Sequence, residues 1–231
     1  MDYLEVIKKL ESLKNPKNVA GMARFGIRPK TKVLGISIPE LRKIAKAVGK
    51  NHDLALKLWD TKIHEARILA GFIADSEKLT ESQMKKWVRG FDSWDVCDQV
   101  CSAALDKTKF AYKKVFEFSK REEEFVKRTA FTLIACLSVH NKKMKDKDFL
   151  RFFPLIKKAS TDERNFVKKA VNWALRQIGK RNKKLNKEAI RLAKEIQKIN
   201  SKSAKWIASD AIRELTDKKI LKRMVLKQRA K

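Results

Sequence analysis

The chain has 231 residues, 43% apolar and 36% charged, with 56 lysines and arginines against 27 aspartates and glutamates for a formal charge of +29. That composition excludes a disordered polymer and supplies a core for one or two domains. No apolar run reaches the roughly 20 residues of a membrane span, and seven glycines and four prolines are too few for the turn every 8 to 12 residues, roughly, of a large antiparallel protein, so an all-α chain is expected.

Apolar residues at Leu4, Ile7, Leu10 and Leu13 recur at helical spacing and stop at Asn15-Pro16, which places a first helix over residues 1–14. Charge is mixed among them, unlike the apolar core of a signal peptide, so a cytoplasmic protein is expected. Residues 16–25 read as a short second helix. Gly26, Pro29, Gly35 and Pro39 then crowd the least regular stretch, a loop carrying Arg28, Lys30 and Lys32. Pro39 suits the first turn of a helix running to Val48, with Leu41, Ile44, Ala45 and Val48 inward. Further helices are expected at 53–59, 63–75, 81–90, 93–105, 108–119, 123–139, 146–158, 161–179, 184–198, 201–215 and 217–228. Thr80 with Gln83, and Ser160 with Glu163, have the spacing of capping boxes and mark two of the starts.

A repeat emerges from these segments. Val126-Lys127-Arg128-Thr129-Ala130 matches Val167-Lys168-Lys169-Ala170-Val171 at a separation of 41, and a further 41 places Ala211 under Ala170. Earlier, Glu65 to Ala70 and Trp94 to Leu105 repeat at a spacing nearer 30. Helix pairs of about 30 to 45 residues are the signature of a HEAT-like (ARM-type) solenoid, in which each pair buries its apolar stripe only against its neighbours. One continuous domain over 1–231, of about six or seven helix pairs with a concave basic face, is expected. Arg67, Asp98, Arg128 and Lys169 are candidates to line it. The run from Lys180 to Lys231, with 18 basic and 5 acidic residues, reads as a phosphate-binding flank. A heat-adapted surface would raise glutamate along with lysine, so nucleic acid is the expected partner.

Cys97, Cys101 and Cys136 lack metal-finger spacing and read as small buried apolar residues. His52, His64 and His140 are scattered, and no metal or cofactor is expected. Trp59, Trp87 and Trp206 read as core or interface. In Ser93-Trp94-Asp95-Val96-Cys97-Asp98 a helix places Trp94 and Asp98 on one face, an aromatic plate beside a carboxylate. These six residues alone allow two readings: a core tryptophan beside an acid paired with a nearby cation, or an acid set deliberately in a positive surface.

The order of Trp94-Asp95-Val96-Cys97-Asp98, then Val126 to Ala130, then Phe166-Val167-Lys168-Lys169-Ala170-Val171-Asn172-Trp173-Ala174-Leu175-Arg176 resembles the successive motifs of the AlkD-like alkylpurine DNA glycosylases, a family of HEAT-like repeat proteins. Met22-Ala23-Arg24-Phe25-Gly26-Ile27 resembles its N-terminal segment, and the likeness runs from about residue 16 to 215. The resemblance implies excision of cationic N3- or N7-alkylated purines from duplex DNA by a nucleoid-associated monomer, without base flipping. It implies Asp98 as the transition-state carboxylate, with Trp94 and Trp173 packing on the lesion sugar. Arg128 corresponds to the arginine on the backbone phosphate, and Phe25, Phe166, Lys169 and Arg176 to further DNA contacts. The segment 16–50 is longer and richer in glycine and proline than the simplest family pattern. Related subfamilies keep the scaffold with altered catalytic positions, so a catalytically silent module binding damaged or branched DNA, or RNA, is the alternative. An interaction solenoid with an acidic partner ranks third.

Overall fold

The computed structural model describes residues 1–229; among these, the side chains at 225 and 227–229 are not described. The last two residues of the basic run Lys180–Lys231 therefore lie outside the described residues. The chain forms fifteen α-helices among the described residues and no strand beyond an isolated bridge between Lys32 and Ile63. It divides into two compact units, Met1–Ala111 and Tyr112 onward.

The first unit holds α1 (Tyr3–Ser12), α2 (Pro16–Met22), α3 (Ile38–Val48), α4 (His52–Asp60), α5 (His64–Ile73), α6 (Glu81–Arg89) and α7 (Trp94–Ala103). A 3-10 turn, Ala23–Phe25, follows α2 and stops at Gly26, whose left-handed φ of 73° ends it. Among these helices α5 is central: it packs on α3, α4 and α7, and all its residues but Phe72 are buried. Close approach of α5 to α7 depends on Gly71, where a Cβ would stand 2.9 Å from Val100 Cγ2. Trp59 and Trp87 stack at 4.7 Å in the core of the unit, as the sequence suggested. The expected capping box of α6 is present, with Thr80 and Gln83 bonding each other's backbone N–H.

The second unit comprises α8 (Ala111–Phe118, which begins at the boundary), α9 (Glu124–His140), α10 (Asp146–Leu150), α11 (Phe153–Ala159), α12 (Asn165–Gly179), α13 (Lys183–Gln197), α14 (Lys202–Leu215) and α15 (Lys218–Arg229). The single helix expected over 146–158 is two, because Pro154 opens α11 and the buried rings of Phe149 and Phe152 turn the chain between them. Ser160 and Glu163 form no capping box. The Ser160 hydroxyl donates to the Lys157 carbonyl, while Glu163 accepts from Ser201 Oγ and Ser203 N at the start of α14.

The repeat is visible as polar rungs. Arg128 on α9 donates to the Phe166 carbonyl on α12. From α12, Asn172 donates to Asp210 on α14 at 2.7 Å, and Arg176 is bonded to Glu214. Each of these three bonds spans 38 residues, close to the spacing seen in the sequence, so the same register that stacks the apolar stripes also aligns the ties. A HEAT-like helical repeat is the fold.

Candidate catalytic and nucleic-acid site

In the first unit the elements converge on the N-terminus of α7. Val96, Cys97, Val100 and Cys101 are fully buried, the i, i+1, i+4, i+5 stripe of a helix that faces a core on one side. Trp94 and Asp98 occupy another face and are half-buried. The indole Nε1 of Trp94 donates to the Phe25 carbonyl at 3.0 Å, which fixes the ring and ties α7 to the turn after α2. The Phe25 side chain is 71% exposed, a ring held on an anchored backbone. Phe25, Trp94 and Asp98 are thus gathered in one unit.

Behind them lies a polar layer within the core. His64, 1% exposed, shares a 2.8 Å hydrogen bond with Asp95 through Nε2, and the Ser93 hydroxyl donates to the other Asp95 oxygen at 2.6 Å. Burial opposes a charged imidazole, but the hydrogen bond and charge of Asp95, with Glu65 and Asp92 beyond it, hold the His64 pKa above its ordinary value. Burial likewise opposes the Asp95 carboxylate, yet His64, the Ser93 hydroxyl and the Val96 backbone N–H keep its pKa below the usual carboxylate range. Glu65, also 1% exposed, accepts from the backbone N–H of Leu34 at 2.9 Å and of Gly35 at 2.6 Å. Arg67 donates to the Gly90 carbonyl, lies 3.8 Å from Asp92 and stacks over Trp59 at 5.2 Å. A cavity of about 360 Å³ opens beside this layer, lined by Arg24, Phe25, Ile68, His64, Glu65 and Asp95 among others.

Arg67 is therefore a buried tie and not the groove-lining residue the repeat suggested. The reason is its place on a helix covered on all sides, where a guanidinium must find partners within the protein. The His64–Asp95 pair was missed. Its signal lay in the spacing near 30 that aligns the starts of α5 and α7, and so brings the first turns of the two helices side by side.

In the second unit the nominated residues are spread along α9 and α12. Arg128 is 5% exposed, its guanidinium turned to the Phe166 carbonyl. The Phe166 ring stacks on Phe125 at 5.5 Å. Trp173 is half-buried, and Lys169 is exposed. Arg176 forms ion pairs with Glu214 and, at 3.5 Å, with Asp210, so most of its charge is answered inside the unit. Trp206 is 42% exposed beneath the Lys168 ammonium and so stands outside the core: α14 turns its apolar stripe elsewhere, through Ala204, Ile207, Ala208 and Ala211. Cys136 is buried, as are Cys97 and Cys101.

The chain is 22% identical over 195 residues to an uncharacterised protein of Listeria innocua, covering 83% of this chain and 85% of that one. It is 28% identical over 89 residues to an uncharacterised protein of Listeria monocytogenes, and there the match spans 37% of this chain and only 40% of the relative. A solved structure from a family of proteins related to the HEAT-like repeat DNA glycosylases, with affinity for branched DNA structures, superposes with a TM-score of 0.76 at 20% identity, over 92% of this chain and 95% of the other. The model of the DNA alkylation repair enzyme family matches residues 6–215, and the chain belongs to that family.

Proposed function

We propose that the protein is a monofunctional DNA glycosylase that hydrolyses the N-glycosidic bond of cationic N3- or N7-alkylated purines in duplex DNA, acting as a monomer, without base flipping and without a cofactor. The observation that carries this reading is the Trp94–Asp98 pair, an acid and an anchored aromatic on one half-buried face of α7, in a chain of net charge +29. A protein that only grips phosphates gains nothing from a carboxylate there. An alkylated base that already carries positive charge departs neutral and needs little acid catalysis. Positive charge builds instead on the deoxyribose as the bond from its anomeric carbon breaks. Asp98 stabilises that charge and orients the water whose oxygen bonds to the same carbon, with its proton passing to solvent; preorganised groups of this kind are worth about 3 to 4 kcal/mol. The faces of Trp94 and Trp173 suit polarised sugar C–H groups. Arg128 contacts a backbone phosphate, and Phe25, Phe166, Lys169 and Arg176 supply further DNA contacts.

The test is release of 7-methylguanine or 3-methyladenine from methylated duplex DNA, followed by chromatography. Wild-type protein releases the base, and Asp98→Asn lowers release by about 10² to 10³-fold with DNA affinity equal or tighter. Unchanged release by Asp98→Asn removes Asp98 from the mechanism. A wild-type protein that releases no base supports the second reading, a catalytically silent module for damaged or branched DNA. That reading is favoured by the branched-DNA affinity of the fold relative and by the internal engagement of Arg128 and Arg176.

A further inference from the structure

The second unit contains a cavity of about 620 Å³ that none of the motif residues lines. It lies among the C-terminal ends of α9 and α12, the loop before α10, the first turn of α13 and α15. Five cationic residues line it, Lys142, Lys145, Lys180, Arg181 and Arg223, against a single carboxylate, Asp146. Asp146 is itself engaged, accepting from Asn182 Nδ2 at 2.8 Å. Asn182 is also the N-cap of α13, a fifteen-residue helix, so the positive end of a helix dipole adds to the five charges.

The cations are not equivalent. Arg181 is built into the wall: its guanidinium lies 4.2 Å from the Phe149 ring centroid and donates to the carbonyls of Ser138 and Met144. Lys180 is shared with Glu214. Lys142, whose ammonium donates to the Val139 carbonyl, is exposed at the rim with Lys145 and Arg223. The rest of the lining sets the apolar side chains of Val139, Met144, Ile220 and Met224 beside the polar Ser138, Gln177 and Asn182, and Val139 is 42% exposed. A site for inorganic anion alone has no use for such a floor. A nucleobase does, since aliphatic and thioether groups pack on its face while cations hold the attached phosphate.

We infer that this cavity takes one unpaired nucleotide of DNA, its base on the floor of Val139, Met144, Ile220 and Met224 and its phosphate at Lys142, Lys145 and Arg223. A base paired within duplex DNA cannot enter it, so the cavity distinguishes a flap or branch from an intact helix. The inference rests on DNA as the partner but not on glycosylase activity.

The experiment measures fluorescence anisotropy of the full chain with a labelled duplex bearing a 5′-phosphorylated thymidine flap and with the blunt duplex of the same sequence. Lys145→Glu combined with Arg223→Glu should weaken flap binding by about tenfold or more and blunt binding by no more than about threefold. Val139→Asp, which leaves all five cations in place, should weaken flap binding alone. Thymidine monophosphate should compete for the flap where inorganic phosphate at equal concentration does not. Equal losses on both DNAs, or no loss with Val139→Asp, overturn the inference in favour of a general electrostatic field. Equal competition by phosphate reduces the cavity to an anion site and overturns it too. Binding of thymidine monophosphate without preference for the flap overturns its assignment to DNA. Release of methylated bases from blunt duplex is measured in parallel and should be unchanged in Val139→Asp, so failure here and failure of the glycosylase reading are told apart.

Discussion

Glu65→Gln tests how the fold holds the segment that leads to the Trp94–Asp98 face. The Glu65 carboxylate is 1% exposed and each oxygen accepts one backbone N–H, from Leu34 at 2.9 Å and Gly35 at 2.6 Å. That stretch in turn holds α2: the Leu34 carbonyl accepts from Asn15 N, and the Gly35 carbonyl from Asn18 Nδ2. Gly35 has a φ of 77°, and a Cβ there would lie 2.3 Å from the Asn15 carbonyl, so the backbone has no other way to pass. Hydrogen bonds to charged groups contribute about 1.5 to 3 kcal/mol each. Glutamine keeps one acceptor, loses the charge on it, and sets an amide donor against the other N–H, for a loss of about 2 to 4 kcal/mol. At about 2 to 4 °C per kcal/mol for a chain of this length, Tm should fall by roughly 4 to 16 °C. Amide hydrogen exchange should also show lost protection at Leu34 and Gly35 ahead of the α5 core. A Tm within about 1 °C of wild type, with both amides still protected, would refute the claim that Glu65 carries this segment.

Arg128→Ala should lower stability through loss of the Phe166 carbonyl tie, and it should make the salt dependence of DNA binding shallower by about one phosphate contact; an unaltered slope would leave Arg128 a structural tie only. The His64–Asp95 pair predicts a definite pH dependence. Because the His64 pKa is raised, its contribution is whole below about pH 6.5, the ordinary histidine value, and is lost as pH rises through the raised one. Because the Asp95 pKa is lowered, its contribution is whole above about pH 4 and is lost as pH falls through the depressed value. The Tm difference between wild type and His64→Gln should therefore be largest between about pH 4 and 6.5 and shrink as the pH rises above that window, and a difference that is flat with pH would count against an ionised pair.

The helices were legible because apolar spacing and proline or capping residues mark them, as at Pro39, Pro16 and Thr80. The repeat was legible for a related reason: stacked helices reuse one register, so Val126 and Val167 fall at equivalent buried positions. What could not be read was which charged residues are buried. The repeat places Arg67 in the groove lining and leaves Trp206 open between core and interface, because burial of a guanidinium depends on carbonyls brought by another helix, and exposure of an indole depends on which face its helix turns inward. Asp95, one residue beyond Trp94, and Asp98, one turn beyond it, look alike in sequence. Only the packing of α5 on α7 gives Asp95 a buried histidine and leaves Asp98 on the half-buried face.

The same distinction sets a group of internally bonded arginines apart from the exposed cations. Arg67, Arg128, Arg164, Arg176 and Arg181 all bond to carbonyls or carboxylates within their own units, work suited to a planar fork with five donors. Lysines such as Lys142, Lys145, Lys169 and Lys183 stand exposed. A point charge on a long stem suits attraction of a polyanion better than support of a core. Affinity for nucleic acid is then a sum over many surface cations, and removing any one should change it little, by about one released counterion. Chemistry at a reacting sugar has no such redundancy. In the glycosylase reading it depends on a single negative group, Asp98, whose loss the many lysines cannot offset because their charge has the wrong sign for an oxocarbenium-like transition state.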